Sequence, residues 1–192
     1  MQKFIPGKVL KEFKTRSGKP AILRYTKWED LSELTKYVNE VSRENIYVGF
    51  SGEQLPRKEE AAWLSKLFKD ADANERVQVL CIVDGKLAGA GTVNTKANLL
   101  RRCRHIATLG IMIRKKYRGD GIGTVMMEEL IKQAKTFLKG IRIVELSVFA
   151  ENKPAIKLYK ELGFREVGRI PGGLKHRGKY QDDVIMVLKI AG

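Results

Sequence analysis

Leu109-Gly110-Ile111-Met112-Ile113-Arg114-Lys115-Lys116-Tyr117-Arg118-Gly119-Asp120-Gly121-Ile122-Gly123-Thr124 decides how this chain is read. An apolar run of strand length passes through a basic turn into a glycine-rich loop, and the loop opens directly into a segment with helical apolar spacing. Such a junction suits an anion. Glycine lets the backbone turn tightly and approach a ligand, the first amides of a helix have no intrahelical acceptor, and the helix dipole favours negative charge at that end. Lys115, Lys116 and Arg118 bring positive charge to the same place. The spacing excludes two common phosphate loops. A P-loop carries Lys-Ser/Thr directly after its second glycine, whereas Gly123 is followed by Thr124-Val125. The dinucleotide fingerprint Gly-x-Gly-x-x-Gly does not match glycines at every second position.

Downstream, Met126, Met127, Leu130, Ile131, Ala134, Phe137 and Leu138 fall on one broad helical face, and Ile143–Phe149, rich in β-branched residues, reads as a strand. A strand, crossover helix and strand in that order should place Ile106–Ile113 and Ile143–Phe149 parallel. Asn152 and Pro154 suit the start of a further helix and Gly163 its end; 164–170 and 184–190 read as closing strands. Upstream, Asp84-Gly85 between apolar runs at 77–83 and 87–94 is a hairpin signal. Two helices precede it. One follows Thr26, a candidate cap, with the stripe Trp28, Leu31, Leu34, Val38 and Val41; the other follows Pro56, with Trp63, Leu64, Leu67, Phe68 and Ala71. A hairpin of 9–15 and 20–25 opens the chain. The expected fold is therefore α/β of the α+β kind: a mixed, mostly antiparallel sheet of about seven strands with a central parallel pair, flanked by about four helices. It is read as a single domain over 1–192, with 1–20 an extension carrying an extra strand and 21–190 the core.

At 192 residues the chain is long enough to bury a core without disulfides or metal. Cys81 and Cys103 form no CxxC pair and there are two histidines, so neither a zinc site nor a disulfide framework is indicated and no metal is expected. Met1-Gln2-Lys3-Phe4-Ile5-Pro6 lacks the apolar core of a signal peptide, and no run of about 18 apolar residues occurs, which points to a cytoplasmic protein with no membrane partner. The net charge of +15, from 37 Lys and Arg against 22 Asp and Glu, suits a polyanion, either nucleic acid or a coenzyme carrying several phosphates, or else a solvated basic surface. No basic-aromatic signature favours nucleic acid.

In this order, over residues 21–190, the elements resemble those of the GNAT N-acetyltransferase superfamily. Three stretches carry the resemblance: Arg118-x-x-Gly121-x-Gly123 after its strand; the run from Glu145-Leu146-Ser147 through Asn152-Lys153-Pro154 and Tyr159 to Gly163-Phe164; and Gly178-Lys179-Tyr180-Gln181-Asp182-Asp183-Val184-Ile185-Met186, similar to the closing strand of members that acetylate protein N-termini or small amines. The resemblance implies an acetyl-coenzyme A-dependent N-acetyltransferase that moves an acetyl group directly to a primary amine of a protein N-terminus or small molecule. It implies that the backbone of Ile111, Met112 and Ile113 pairs with the pantetheine arm and that Arg118, Gly119, Asp120, Gly121, Ile122, Gly123 and Thr124 form the pyrophosphate site. Asn152 would hydrogen-bond the coenzyme arm, and Tyr159 would contact the coenzyme and protonate the departing thiolate as general acid. A homodimer is the family-level expectation. A non-catalytic acyl-coenzyme A sensor and a basic nucleic-acid-associated protein are the alternatives on the same fold.

The residue chemistry is compatible with these roles. A phenol is neutral at pH 7 and can donate a proton, although on pattern alone Tyr159 is a boundary tyrosine beside Ala155 and Leu162, and Asn152 an ordinary helix cap. Many relatives place a glutamate on the strand before the loop, but here that strand reads His105-Ile106-Ala107-Thr108-Leu109-Gly110, and Thr108 cannot serve as a base. Glu145 is the candidate base, because alternation puts it with Ser147 on the face opposite Val144, Leu146 and Val148. Glu53, His105, His176, Asp182 and water are further candidates. The resemblance implies an acceptor wall over 45–55 and 171–181, with Tyr47, Phe50 and Tyr180 able to line it and Glu53 or Asp182 able to attract a cationic amine.

Overall fold

The computed structural model describes residues 3–47, 49–96 and 101–190. Among them, eight strands form one sheet with four α-helices against it: β1 (Val9–Lys14), β2 (Pro20–Tyr25), α1 (Leu31–Arg43), α2 (Arg57–Asp72), β3 (Arg76–Val83), β4 (Lys86–Thr95), β5 (Ile106–Ile113), α3 (Ile122–Thr136), β6 (Ile143–Phe149), α4 (Lys153–Glu161), β7 (Arg165–His176) and β8 (Lys179–Lys189). The spatial order is β1-β2-β3-β4-β5-β6-β8-β7, and every neighbouring pair is antiparallel except β5–β6. The expected parallel pair is therefore present, and it is short. Ile106, Ala107 and Thr108 pair with Ile143, Val144 and Glu145, after which the strands part. Residues 109–113 remain paired with β4 through 89–93 and have no β6 partner.

Strand alternation divides the core between the two faces. Val77, Val79, Cys81 and Val83 of β3 join the cluster that holds Met126, Met127, Leu130, Ala134 and Phe137 of α3. Leu80 joins the cluster built by Leu34, Tyr37, Val38 and Val41 of α1 with Leu64 and Leu67 of α2. Each large apolar side chain fully removed from water contributes roughly 1.5–3 kcal/mol before ordering costs, so α3, with Met126, Met127, Leu130, Ala134 and Phe137 all buried, anchors the loop in front of it. Gly91 permits this contact: a Cβ there would lie 2.5 Å from Leu130 Cδ1 and 2.9 Å from Ile111 Cγ2. A buried polar chain also ties α3 to β2, with Tyr25 Oη donating to Gln133 Oε1 at 2.7 Å and Gln133 Nε2 donating to Glu129 Oε1 at 2.7 Å. Phe4, ahead of β1, is buried against Tyr25, Phe68 and Phe137 and so belongs to the core.

Two local expectations change. Thr26 does not cap α1; it is buried and donates its hydroxyl to Gln78 Oε1 at 2.6 Å. Asp30 takes the position before α1, with its carboxylate held by Arg24 at 2.6 and 2.7 Å and by the Lys27 amide at 2.9 Å. Trp28 consequently lies on a short 3-10 turn, half exposed, outside the helical stripe. The second change is at the far edge, where β7 and β8 run on to a tight turn at Arg177 and Gly178, both with positive φ, so most of 171–181 is strand. These strand ends are polar and exposed, and carry no apolar alternation to betray them. Among the described residues no helix is long and apolar enough to cross a membrane.

Candidate active site

Where β5 and β6 part, a cleft of about 1580 Å³ opens between the two helical layers. Its floor is β5 from Thr108 to Ile113, which has no β6 partner beyond Thr108. One end is the glycine-rich loop. Gly119 and Gly121 have φ of +80° and +82°, a conformation that L side chains rarely adopt, and Gly121 precedes the first residue of α3. The chain enters α3 without a side-chain cap, and among the described residues no acceptor takes the amides of Gly119 through Thr124. Six adjacent unpaired donors at a helix start form an anion cradle.

The loop is fixed from an unexpected direction. Ser17, in the β1–β2 turn, gives its amide to Asp120 Oδ1 and its hydroxyl to Oδ2, both at 2.7 Å, and the Arg16 amide donates to the Asp120 carbonyl at 3.1 Å. These bonds hold the Asp120 carboxyl below the usual carboxylate range. Arg16 lines the cleft beside Gly121, where an added Cβ would meet its Cγ at 3.2 Å.

The basic turn does more structural work than its charge suggests. Arg118 lines the cleft, but its Nε donates to the Ile113 carbonyl at 2.8 Å and its guanidinium pairs with Glu44 at 2.7 Å. Arg114 is buried, pairs with Glu33 and Glu40 of α1 at 2.9 Å each, donates to the Leu87 carbonyl at 2.6 Å and lies 5.3 Å from the Tyr37 ring centre. The two arginines clamp α1 to the end of β5, and the unoccupied donors of the cradle are backbone amides. Tyr37 completes the clamp: its hydroxyl donates to the Met112 carbonyl at 2.6 Å and accepts from the Ala90 amide at 3.1 Å. Ala90 and Met112 face each other across β4 and β5, so a phenol from α1 bridges the ladder under the cleft floor.

Ile111, Met112, Ile113, Gly119, Gly121, Gly123, Thr124, Asn152 and Tyr159 all line this one cleft. Ile122 places its side chain in the core, and Asp120 faces the β1–β2 turn. Asn152 caps α4, accepting from the Ala155 amide at 3.4 Å, while also facing the cleft. Tyr159 is half-buried, with its ring 6.0 Å from that of Phe164, and burial pushes its phenol up to about 12. It is therefore fully protonated at neutral pH, by desolvation added to its ordinary value.

Glu145 stands on the face that alternation assigns, but its carboxylate is bonded to Lys96 Nζ at 2.7 Å and it does not line the cleft. Ser147 does line it, hydrogen-bonded to Asp183. Of the expected acceptor wall, Tyr47 and Phe50 line the cleft, with Tyr47 held between Phe149 at 5.4 Å and His176 at 4.8 Å; Val48 lies outside the described residues. Tyr180 is exposed and points elsewhere, Glu53 bonds to the Ser51 amide, and Asp182 accepts from the Gly172 amide at 3.2 Å. His105 does not line the cleft, and His176 bonds the Asn45 carbonyl at 2.8 Å. The wall opposite the loop includes residues that the sequence reading passes over: Tyr37 from α1 and Glu59, Glu60 and Trp63 from α2. A signal for Glu60 exists in its spacing, since 60, 64, 67 and 71 share one face of α2 and only the first is charged.

Known proteins share this arrangement. The profile of the acetyltransferase (GNAT) family matches residues 35–164. An L-amino acid N-acetyltransferase, AaaT, of Escherichia coli K12 is 31% identical over 133 residues, 69% of this chain and 78% of that protein. An N-alpha-acetyltransferase of Sulfurisphaera tokodaii is 27% identical over 160 residues, 79% of this chain and 84% of its own. The crystal structure of a GNAT-family acetyltransferase from Streptococcus pneumoniae superimposes with a TM-score of 0.79 at 29% identity, covering 88% of this chain and 99% of the other. With the matched segment running from α1 to the end of α4, through the cradle and the split sheet, this chain belongs to the GNAT acetyltransferase family and is an N-acetyltransferase of that type.

Proposed function

We propose that the protein transfers an acetyl group from acetyl-coenzyme A directly to a primary amine, that of a protein N-terminus or a small molecule. The observation that carries this reading is a strand edge with no strand partner that runs on to a row of unpaired amides. Residues 109–113 have no β6 partner, and the strand leads to the six free amides of 119–124. A ligand with amide groups along an extended arm and a pyrophosphate at its end matches both parts at once.

The coenzyme supplies the acetyl group as an activated thioester. Ile111, Met112 and Ile113 would hold the arm as an added strand, Gly119 to Thr124 would hold the pyrophosphate, and Asn152 would bond the arm from α4. A β5 amide at Ile111 or Met112 would stabilise the carbonyl oxygen as it gains charge; a donor so placed is typically worth about 100- to 1000-fold in rate. Tyr159 would protonate the leaving sulfur. A phenol near 12 is a far weaker acid than a thiol of about 8.5, so this transfer must be coupled to reprotonation of the tyrosine. The amine provides that proton: its nitrogen sheds one to solvent before attack and a second as the C–N bond forms and the C–S bond breaks. The second restores Tyr159.

Titration calorimetry of the purified protein with acetyl-coenzyme A, followed by thiol release with a panel of amines, tests the reading. Micromolar binding together with release on one amine class is the expected result. Binding without release on any amine would favour a sensor of acyl-coenzyme A, and absence of binding would overturn the proposal.

A further inference from the structure

The wall facing the coenzyme loop contains a carboxylate with nothing to bind it. Glu60, in the first turns of α2, is 4% exposed and lines the cleft, and its carboxylate makes no hydrogen bond or ion pair with any described residue. Burial raises its pKa. A lone carboxylate withdrawn from water is costly to the fold and is found where a ligand supplies the missing partner. Its surroundings indicate the sign of that ligand. Glu59 lies beside it, and the aromatic residues Trp63, Phe50 and Tyr47 line the same cleft, a combination that favours a cation.

The cleft's cations stand on other elements. Among the described residues those lining it are Arg16, Arg118 and Lys157. Arg16 adjoins Gly121, Arg118 is paired with Glu44, and Lys157 stands on α4. No lysine or arginine of α1, the 44–56 connection or α2 is among the lining residues. A free amino acid entering against this wall would bring a carboxylate next to Glu59 and Glu60 with no positive partner. An amine whose neighbouring carboxyl is amidated, or absent, would not.

We infer that Glu60 is the group that anchors the acceptor, its carboxylate receiving the ammonium of an amine that carries no free carboxylate beside the amino group, such as a peptide α-amine or a simple alkylamine. This rests on the acetyl-transfer reading for its chemistry, and it departs from what the name of the L-amino acid N-acetyltransferase AaaT states of that relative.

The matched probes are phenylalaninamide, phenethylamine and phenylalanine. With wild-type protein, kcat/KM for the first two should exceed that for phenylalanine by about tenfold or more, the equivalent of one charged contact. Glu60→Gln should raise the amine KM by about 10- to 100-fold and leave the Kd for acetyl-coenzyme A unchanged. Calorimetry of each probe against protein saturated with coenzyme A gives the same comparison without turnover. If acetyl transfer fails but phenylalaninamide binds in a Glu60-dependent way, the catalytic reading falls and this one stands. Preference for phenylalanine, no binding of the amides, or a Glu60→Gln variant indistinguishable from wild type would each overturn it.

Discussion

On the loop side of the cleft the binding groups are backbone, held in place by glycines at 119, 121 and 123, by α3 packed on the sheet and by the Ser17–Asp120 bonds. On the α1–α2 side they are side chains, Tyr37, Glu60 and Trp63 among them, brought together from elements up to 26 residues apart in the sequence. The first kind of surface is fixed by chain geometry and tolerates change only where φ is ordinary. The second changes with any single residue. A family can keep one coenzyme and vary its acceptor on this plan, because one half is set by conformation and the other by composition.

Substitutions that act on one half alone test the division. The largest effect is expected at Tyr159, the proposed proton donor: Tyr159→Phe should lower kcat by about 100- to 10,000-fold with the Kd for acetyl-coenzyme A unchanged. An equal loss of both would make Tyr159 a packing residue. Gly121→Val should weaken coenzyme binding about 10- to 100-fold, since a branched residue at φ +82° is strained and its Cβ would crowd Arg16; binding of the amine probes should persist. A single variant that abolishes both would show that the halves are one unit.

Tyr37 is where the halves touch, so Tyr37→Phe should be felt in both. Removing the hydroxyl leaves the Ala90 amide and the Met112 carbonyl without it, a loss of about 1–3 kcal/mol in urea unfolding, with a higher KM for coenzyme and amine alike. Glu60→Gln should stabilise the protein. A carboxyl whose pKa is raised on folding costs nothing while it is protonated in both states, and its penalty grows as pH rises past its unfolded value. The gain in Tm over wild type should therefore be clear at pH 8 and vanish toward pH 4. Asp120 has the opposite sign. Its lowered pKa stabilises the fold above the ordinary carboxylate range and that contribution is lost as pH falls, so Asp120→Asn should flatten the acid limb of the stability profile and weaken coenzyme binding severalfold.

The same division explains what the sequence discloses. Glycines at alternate positions, the Asn152 cap and the strand-loop-helix-strand order are local signals, and they suffice for the parallel pair, the cradle and the sheet around it. Three features are not local. Whether Arg118 faces a phosphate or a carboxylate depends on Glu44, 74 residues earlier, and the chain carries no mark of that pairing. The role of the opening hairpin depends on Asp120 meeting Ser17 across the fold. Lys96 takes Glu145 because β4 and β6 flank β5, a neighbourhood that only the assembled sheet creates. Glu60 differs, since a charge on an apolar helical face can be read from spacing, but its lack of a partner requires knowing every side chain nearby.

The phenol that bridges Ala90 and Met112 also limits how the protein can diversify. Beyond Glu44, the described residues of the 45–56 connection bond to α1 and to His176 rather than to β5, so exchanging that stretch for another sequence should leave the cleft floor in place. Helix α1 cannot be exchanged in this way. Through Tyr37, Glu33 and Glu40 it is bonded to β5 and to Arg114 at its end, so a new acceptor specificity designed on α1 should disturb the proposed thioester seat along with it.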